Sequence, residues 1–496
     1  MQVGAWEHDV AVQTALEFPV LRVAADGFAA QGGFAEQQAR FLTPDAAAVD
    51  ALRTRLRRTE VGVVAHFYMD PQLQGVLCAT GLPHIHVADS LQMAGRAVAM
   101  VRAGAKAIVV LGVDFMAENV RAMLDAEGFA AVPVYRVAQA PIGCTLAEAA
   151  EAPAYLDFLR AAATEPQALH VIYINTSLQV KAVAERLLPT VTCTSSNVLS
   201  LILQAFAELP DLQIFFGPDS LMGANLHSYL DALAAGPAAH IHALHPAHDA
   251  ASLLRLRERL HVFSAGHCAV HQMFDEDVVD SLKLRHADDH LTAHLEVPGA
   301  MFHLALEAQA RGRGVVGSTS QILAFITERL DALCAEERQT VPRFVLGTEA
   351  GMVTAIVRAV QMRLRAQAGK SGPSAVDIVF PVAMQAVHRD ASGALPLMPG
   401  VSQGEGCSAA GGCATCPYMK MNSLEALLDV LTLVAQDSKA ALRAYAPPPA
   451  RALDGGEAMD ATTCTALGRQ PILHMQSFQA HGVLPDALRQ RIVSGA

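Results

Sequence analysis

Between Gly406 and Asn422 the chain reads GCSAAGGCATCPYMKMN, which gathers Cys407, Cys413 and Cys416 within ten residues and follows the last with proline. Thiols this close together bind a soft metal or exchange a disulfide. Taken alone, the CxxC spacing fits a redox pair, half of a zinc site or one corner of an iron–sulfur cluster, whose bacterial runs commonly end in Cys-Pro. A reversible Cys413–Cys416 disulfide is one reading, with Cys413 as a spare thiol the other. The rest of the chemistry is spread along the chain in matching sets: His66 with Tyr68, Tyr173 with Asn175, His294 with Glu296; the hydroxyls of Ser90, Ser195 and Thr319; and the single cysteines Cys144 and Cys268. Glu296 is the natural proton-transfer group, with Tyr68 and Tyr173 as phenolic partners. His66, His294 and Asn175 suit the orienting of substrate oxygens.

The elements that must position these groups are written three times. Val61–Ala65, Ala107–Leu111, Leu169–Tyr173, Gln213–Phe216, Leu291–His294 and Phe344–Leu346 are short apolar runs separated by helical stretches, the pattern of parallel sheets flanked by helices. Each pass puts a polar pair after its first strand, a hydroxyl at a helix start after its second and one cysteine after its fourth. Functional groups in open parallel sheets collect beyond the carboxyl ends of the strands. The prediction is an α/β chain of three similar α/β/α domains with short parallel sheets about a pseudo-threefold axis. Expected boundaries are an N-terminal extension at 1–45, units at 46–148, 149–272 and 273–400, a cysteine loop and closing helix at 401–440, and a linker and tail at 441–496. That packing would bring Cys144, Cys268 and Cys416 to one point. Three thiolates leave one iron of a cubane cluster without a protein ligand, free to act as a Lewis acid in dehydration. Hydroxyls at three helix starts facing one cavity would suit substrates carrying several negative groups.

The 496 residues are 52% apolar and 17% charged, enough for several buried cores. A formal net charge of -12 argues against nucleic-acid and anionic-membrane partners, and no apolar run is long enough to predict a membrane span. Glu7, Asp9 and Glu17, with no basic leader among the first twenty residues, favour a cytoplasmic protein. Nine cysteines, an odd number, then favour ligand, catalytic or buried roles over a disulfide framework. Plainer readings stand beside these: free cysteines such as Cys78, Cys193, Cys334 and Cys464 are commonly buried small hydrophobes, and serines at helix starts are commonly N-caps. His240, His242, His245 and His248 fall in an insertion rich in Ala and Pro that reads as a solvated loop.

Taken in order, HFYMDPQLQ, GVDFMAEN, YINTS, CTSSN, HCAVHQMF, GSTSQI, GTEAG and CPYMKMN resemble the quinolinate synthase family, from about Val61 to Met421. The resemblance implies three stacked α/β/α domains around a 4Fe-4S cluster. It also implies condensation of iminoaspartate with dihydroxyacetone phosphate to quinolinate, phosphate and water in NAD biosynthesis, with possible functional coupling to an aspartate-oxidising enzyme. By the same resemblance Cys144, Cys268 and Cys416 ligate the cluster. His66, Ser90, Tyr173, Asn175, Ser195, His294, Glu296 and Thr319 bind iminoaspartate, and Tyr68 and Glu296 share the acid–base work. The chain departs from the family pattern at Leu295, where a proline is usual, and at Ser220, where a lysine is common.

Overall fold

A computed structural model describes residues 17–268, 270–271, 274, 276–367, 371–382, 407–408, 412–413, 416, 418–449, 453 and 459–495. It begins with a hairpin, β1 (Val20–Ala24) and β2 (Gly27–Gln31). Three sheets follow, built from β3 (Val61–His66), β4 (Ile85–Ala88), β5 (Ala107–Leu111) and β6 (Val134–Tyr135); from β7 (Ala168–Tyr173), β8 (Thr190–Cys193), β9 (Gln213–Gly217) and β10 (Leu260–Val262); and from β11 (His290–His294), β12 (Gly314–Gly317), β13 (Arg343–Gly347) and β14 (Ala375–Val379). All their pairings are parallel, apart from the hairpin strands that extend the third sheet. The strand orders are β4-β3-β5-β6, β8-β7-β9-β10 and β12-β11-β13-β14. Numbered within its own unit, each reads second, first, third, fourth, so one topology occurs three times. The order reverses between the first and third strands, and a crevice opens there beyond their carboxyl ends.

The strands form where the apolar runs lie because helices cover both faces of each sheet. Every residue of β3, β5 and β7 is buried, and such strands need continuous apolar runs rather than alternation. Buried packing then continues from unit to unit, through Val110, Val171 and Val345 alike.

Two stretches do more than their sequence suggests. The hairpin, within the stretch read as an extension, adds two antiparallel strands to the third sheet by pairing β1 with β14, Leu21 opposite Ile378. Arg22 clamps Asp377 with two bonds of 2.7 and 2.8 Å across that edge. In the stretch read as a tail, helices Ala461–Gly468, Gln470–His481 and Asp486–Ser494 dock on the second unit. Cys464 Sγ donates to Gln179 Oε1, His474 Nδ1 lies 2.9 Å from the Thr190 carbonyl and Arg491 pairs with Glu185. The histidine-rich insertion is solvated at His240 and His242, as expected, but it is not simply a loop. It forms the helix Ala238–Leu244, and His248 is buried with Nδ1 3.0 Å from Ser252 Oγ and Nε2 2.8 Å from the Leu203 carbonyl.

Candidate active site

A single internal cavity is lined by Cys144, Cys268 and Cys416 together with His66, Tyr68, Ser90, Tyr173, Asn175, Ser195, His294, Glu296 and Thr319. Every site residue named from the sequence therefore faces the same space. Each arrives by the route its unit's topology provides. The pairs 66/68, 173/175 and 294/296 follow the first strands, the hydroxyls follow the second strands, and Cys144 and Cys268 follow the fourth strands of their units. Cys416 comes in just ahead of the turn Met419–Met421. The side chains of Cys407 and Cys413, and with them the Cys413–Cys416 pairing, lie outside the described residues, whereas Cys416 carries a free thiol.

Local hydrogen bonds decide which hydroxyls are left for a ligand. Asp89 caps the helix Ser90–Arg102 by accepting from Gln92 N–H at 3.0 Å, and Ser318 caps Thr319–Ala335 through a capping box with Gln321. Ser90 and Thr319 thus occupy the first helical position with their hydroxyls free of the capping task. Ser195 lies in the turn before the helix Val198–Glu208 and meets His294 Nε2 at 3.2 Å.

The same device fixes two imidazoles. Tyr68 N–H donates to His66 Nδ1 at 3.0 Å and Glu296 N–H donates to His294 Nδ1 at 3.3 Å. Burial lowers His66 to about 4 and His294 to about 3, so both rings are neutral at pH 7. With Nδ1 accepting, the proton sits on Nε2: His294 donates it to Ser195, and His66 keeps it for the cavity.

Glu296 is the charged centre of the site. Burial alone would raise it, but His294, His271 and the Tyr173 hydroxyl together hold it down to about 2. Because His294 is neutral at pH 7, the donor that keeps the carboxylate there is Tyr173 O–H, bonded to Oε1, with the His271 ring close by, its Nδ1 3.1 Å from Oε2. The charge of Glu296 acts outward in turn. Burial first, then Glu296, pushes Tyr68 and Tyr173 well above the ordinary phenol range and Asp219 well above the carboxylate range. Glu349 is raised by burial, with a further contribution from Glu296. Around the cavity, then, Glu296 is held toward its ionised form while two phenols and the carboxyls of Glu349 and Asp219 are pushed toward their protonated forms, the kind of division that separates bases from acids at one pH.

The sequence by itself assigns no role to His271, Glu349 and Asp219, although HCAVHQMF and GTEAG contain the first two and Asp219 stands two residues past β9. His271 is fully buried and stacks on His294 at 4.8 Å between centroids. Among the described residues, Cys268, His271 and Glu296 bring ligand-type atoms within 4.8 Å of one another, a donor set of the kind that holds a metal ion. Glu349 accepts from Cys416 N–H, and its loop is seated by Gly351, where a Cβ would lie 2.3 Å from the Phe67 carbonyl oxygen. The two family departures have local accounts. Leu295 N–H donates to the Gly317 carbonyl at 3.1 Å, a bond proline could not make. Ser220 donates both N–H and O–H to the Gly266 carbonyl, at 2.7 and 2.6 Å, two residues before Cys268.

Against known proteins, residues 50–375 match the family described as Quinolinate synthetase A protein. The chain belongs to the quinolinate synthase family. A Nicotiana tabacum protein named quinolinate synthase, chloroplastic, is 49% identical over 96% of this chain and 66% of its own length. An Arabidopsis thaliana protein of the same name is 47% identical over 96% of this chain and 67% of its own. A quinolinate synthase of Prochlorococcus marinus is 26% identical over 78% of this chain and 82% of its own. The chain thus spans about two thirds of the length of the plant quinolinate synthases it matches. The cytoplasmic expectation is corrected by this finding, since the plant quinolinate synthases are named for the chloroplast. The acidic character of a few N-terminal residues is a property of composition, and it does not carry a compartment.

Proposed function

We propose that the chain condenses iminoaspartate with dihydroxyacetone phosphate to quinolinate, phosphate and water, as a step in NAD biosynthesis. The supporting observation is the cavity in which three partly buried free thiols, the Glu296 carboxylate and two phenols meet. The donor set fits a 4Fe-4S cluster held by Cys144, Cys268 and Cys416. Burial pushes Cys144 up to about 11 and the other two thiols well above their ordinary range, so the sulfurs lack a counter-charge that a metal centre supplies. When bound, the cluster contributes Lewis acidity toward a substrate oxygen through an iron that has no cysteine.

The residues of the chain do the rest. Among the described lining residues there is no lysine or arginine. The carboxylates of iminoaspartate are therefore held by Ser90 and Thr319 at helix starts and by Ser195 in the turn before one, with His66 Nε2–H and Asn175 as further donors. A helix start draws anions without bringing a side-chain cation into the dry site. In the free site Glu296 is too acidic to be an effective base. A dicarboxylate bound beside it raises its proton affinity by like-charge repulsion, so that Glu296 becomes a base once substrate is in place. Protonated Glu296 then passes its proton to the Tyr173 oxygen as the Tyr173 O–H proton goes to the departing substrate oxygen, and Tyr68 O–H is the second phenolic donor. An aspartate-oxidising enzyme would supply the imine.

The test is anaerobic protein with iron and sulfide restored, given iminoaspartate and dihydroxyacetone phosphate, with quinolinate measured. Absence of product from cluster-loaded protein overturns the proposal. Cys144→Ala, Cys268→Ala and Cys416→Ala are each expected to lose the iron complement, and full iron in any of them refutes that cysteine as a ligand.

A further inference from the structure

Lys181 is fully buried in the helix Leu178–Leu187, away from the cavity, and the chemistry above makes no use of it. A buried lysine is costly and calls for a specific partner. Its Nζ donates to the Ile174 carbonyl at 3.1 Å and to the Thr176 carbonyl, the two peptide oxygens on either side of Asn175. Protonated or neutral, an amino group has hydrogens enough for both. The helix does not need Lys181 to begin, since Ser177 is its N-cap and Glu118 Oε2 already accepts from Leu178 N–H at 2.7 Å. Phe115, whose ring centroid is 5.9 Å from Nζ, lines the cavity, as do Ile174 and Asn175.

We propose that Lys181 is a positioning residue for the substrate site: by tying down both carbonyls that flank Asn175, it sets the direction in which the Asn175 amide meets the substrate. Glu118 completes the device from the first unit, because it holds the start of the same helix and faces Lys181. Asp114 and Glu151 are the further acids facing Glu118. The inference rests on Asn175 being a substrate contact, as the proposed function has it.

The experiment uses Lys181→Met in the full cluster-loaded chain, with hydrogen–deuterium exchange over residues 173–178 and steady-state kinetics measured in parallel. The expected result is faster exchange confined to that loop, with KM for iminoaspartate up by roughly tenfold or more, kcat within a few-fold of wild type and iron content unchanged. A purely structural lysine would lower kcat and KM-independent yield together, without the split. Unchanged loop protection with unchanged KM overturns the proposal. If the single variant does not fold, Lys181→Met combined with Glu118→Gln, which keeps an acceptor for Leu178 N–H, carries the same two readouts. Should wild-type protein make no quinolinate, the function falls, while loop exchange in the variant still decides whether Lys181 holds the Asn175 turn.

Discussion

Replacing Tyr173 with Phe removes the O–H that Glu296 Oε1 accepts while leaving the ring in place. A hydrogen bond to a charged acceptor contributes roughly 1.5–3 kcal/mol, and about 1.4 kcal/mol corresponds to one pKa unit. Glu296, now at about 2, should rise by roughly one to two units in the variant. It remains ionised at neutral pH, because a rise of that size still leaves it well below 7. A carboxyl whose folded pKa lies below its unfolded value contributes stability above the unfolded value and loses it as pH falls through the folded one. In Tyr173→Phe that loss should therefore be smaller and be complete at a higher pH. Two assays read the shift: the acid limb of the pH–rate profile for quinolinate formation, and the protonated-carboxyl band in difference infrared titration, assigned with Glu296→Gln. An acid limb and an infrared titration that coincide with wild type would refute Tyr173 as the donor that holds Glu296 ionised.

Other parts of the molecule make equally definite predictions. Ser220→Ala removes the 2.6 Å bond to the Gly266 carbonyl, and should cost about 1 kcal/mol in chemical denaturation and hasten iron loss to a chelator through the loosened Cys268 loop. Arg136 pairs with Asp114 at 2.6 Å in a nearly dry setting and also holds the Ala446 carbonyl, so Arg136→Met should destabilise by roughly 3–5 kcal/mol, read from the urea midpoint. Burial raises Glu185 to about 7 against the pull of Arg491. The stability this group contributes is present below its unfolded value and is lost as pH rises through about 7. Wild type minus Glu185→Gln should accordingly fall by roughly 1–3 kcal/mol over that window in urea titrations at a series of pH values.

Most of the fold was legible because its strands are local apolar runs, and in each unit the residue that ends a strand lies directly in the crevice that the strand order opens. The hairpin Val20–Gln31 was not legible. Its strands are only five residues each, VLRVA and GFAAQ, and what makes them strands is the pairing of β1 with β14, with Arg22 and Asp377 separated by 355 positions. The helices after Asp460 were missed for a similar reason, since their buried faces acquire meaning only against the second unit. His248 read as solvated because its partners, Leu203 and Ser252, lie on helices that the sequence did not place beside it.

In the candidate site, the sequence alone determined which side chains could meet: a polar pair, a hydroxyl and a cysteine stand at equivalent points of three repeats, and strand ends are set by nearby residues. Only the tertiary structure decided their chemical states. Glu296, Asp219 and Glu349 are all carboxyls after strands, yet the first is held ionised and the other two are driven toward neutrality. That division depends on the Tyr173 hydroxyl, 123 positions from Glu296, on His271 and on the exclusion of water from the cavity. Proton affinity is a property of distance and dielectric in the folded chain, and no local run of residues encodes it.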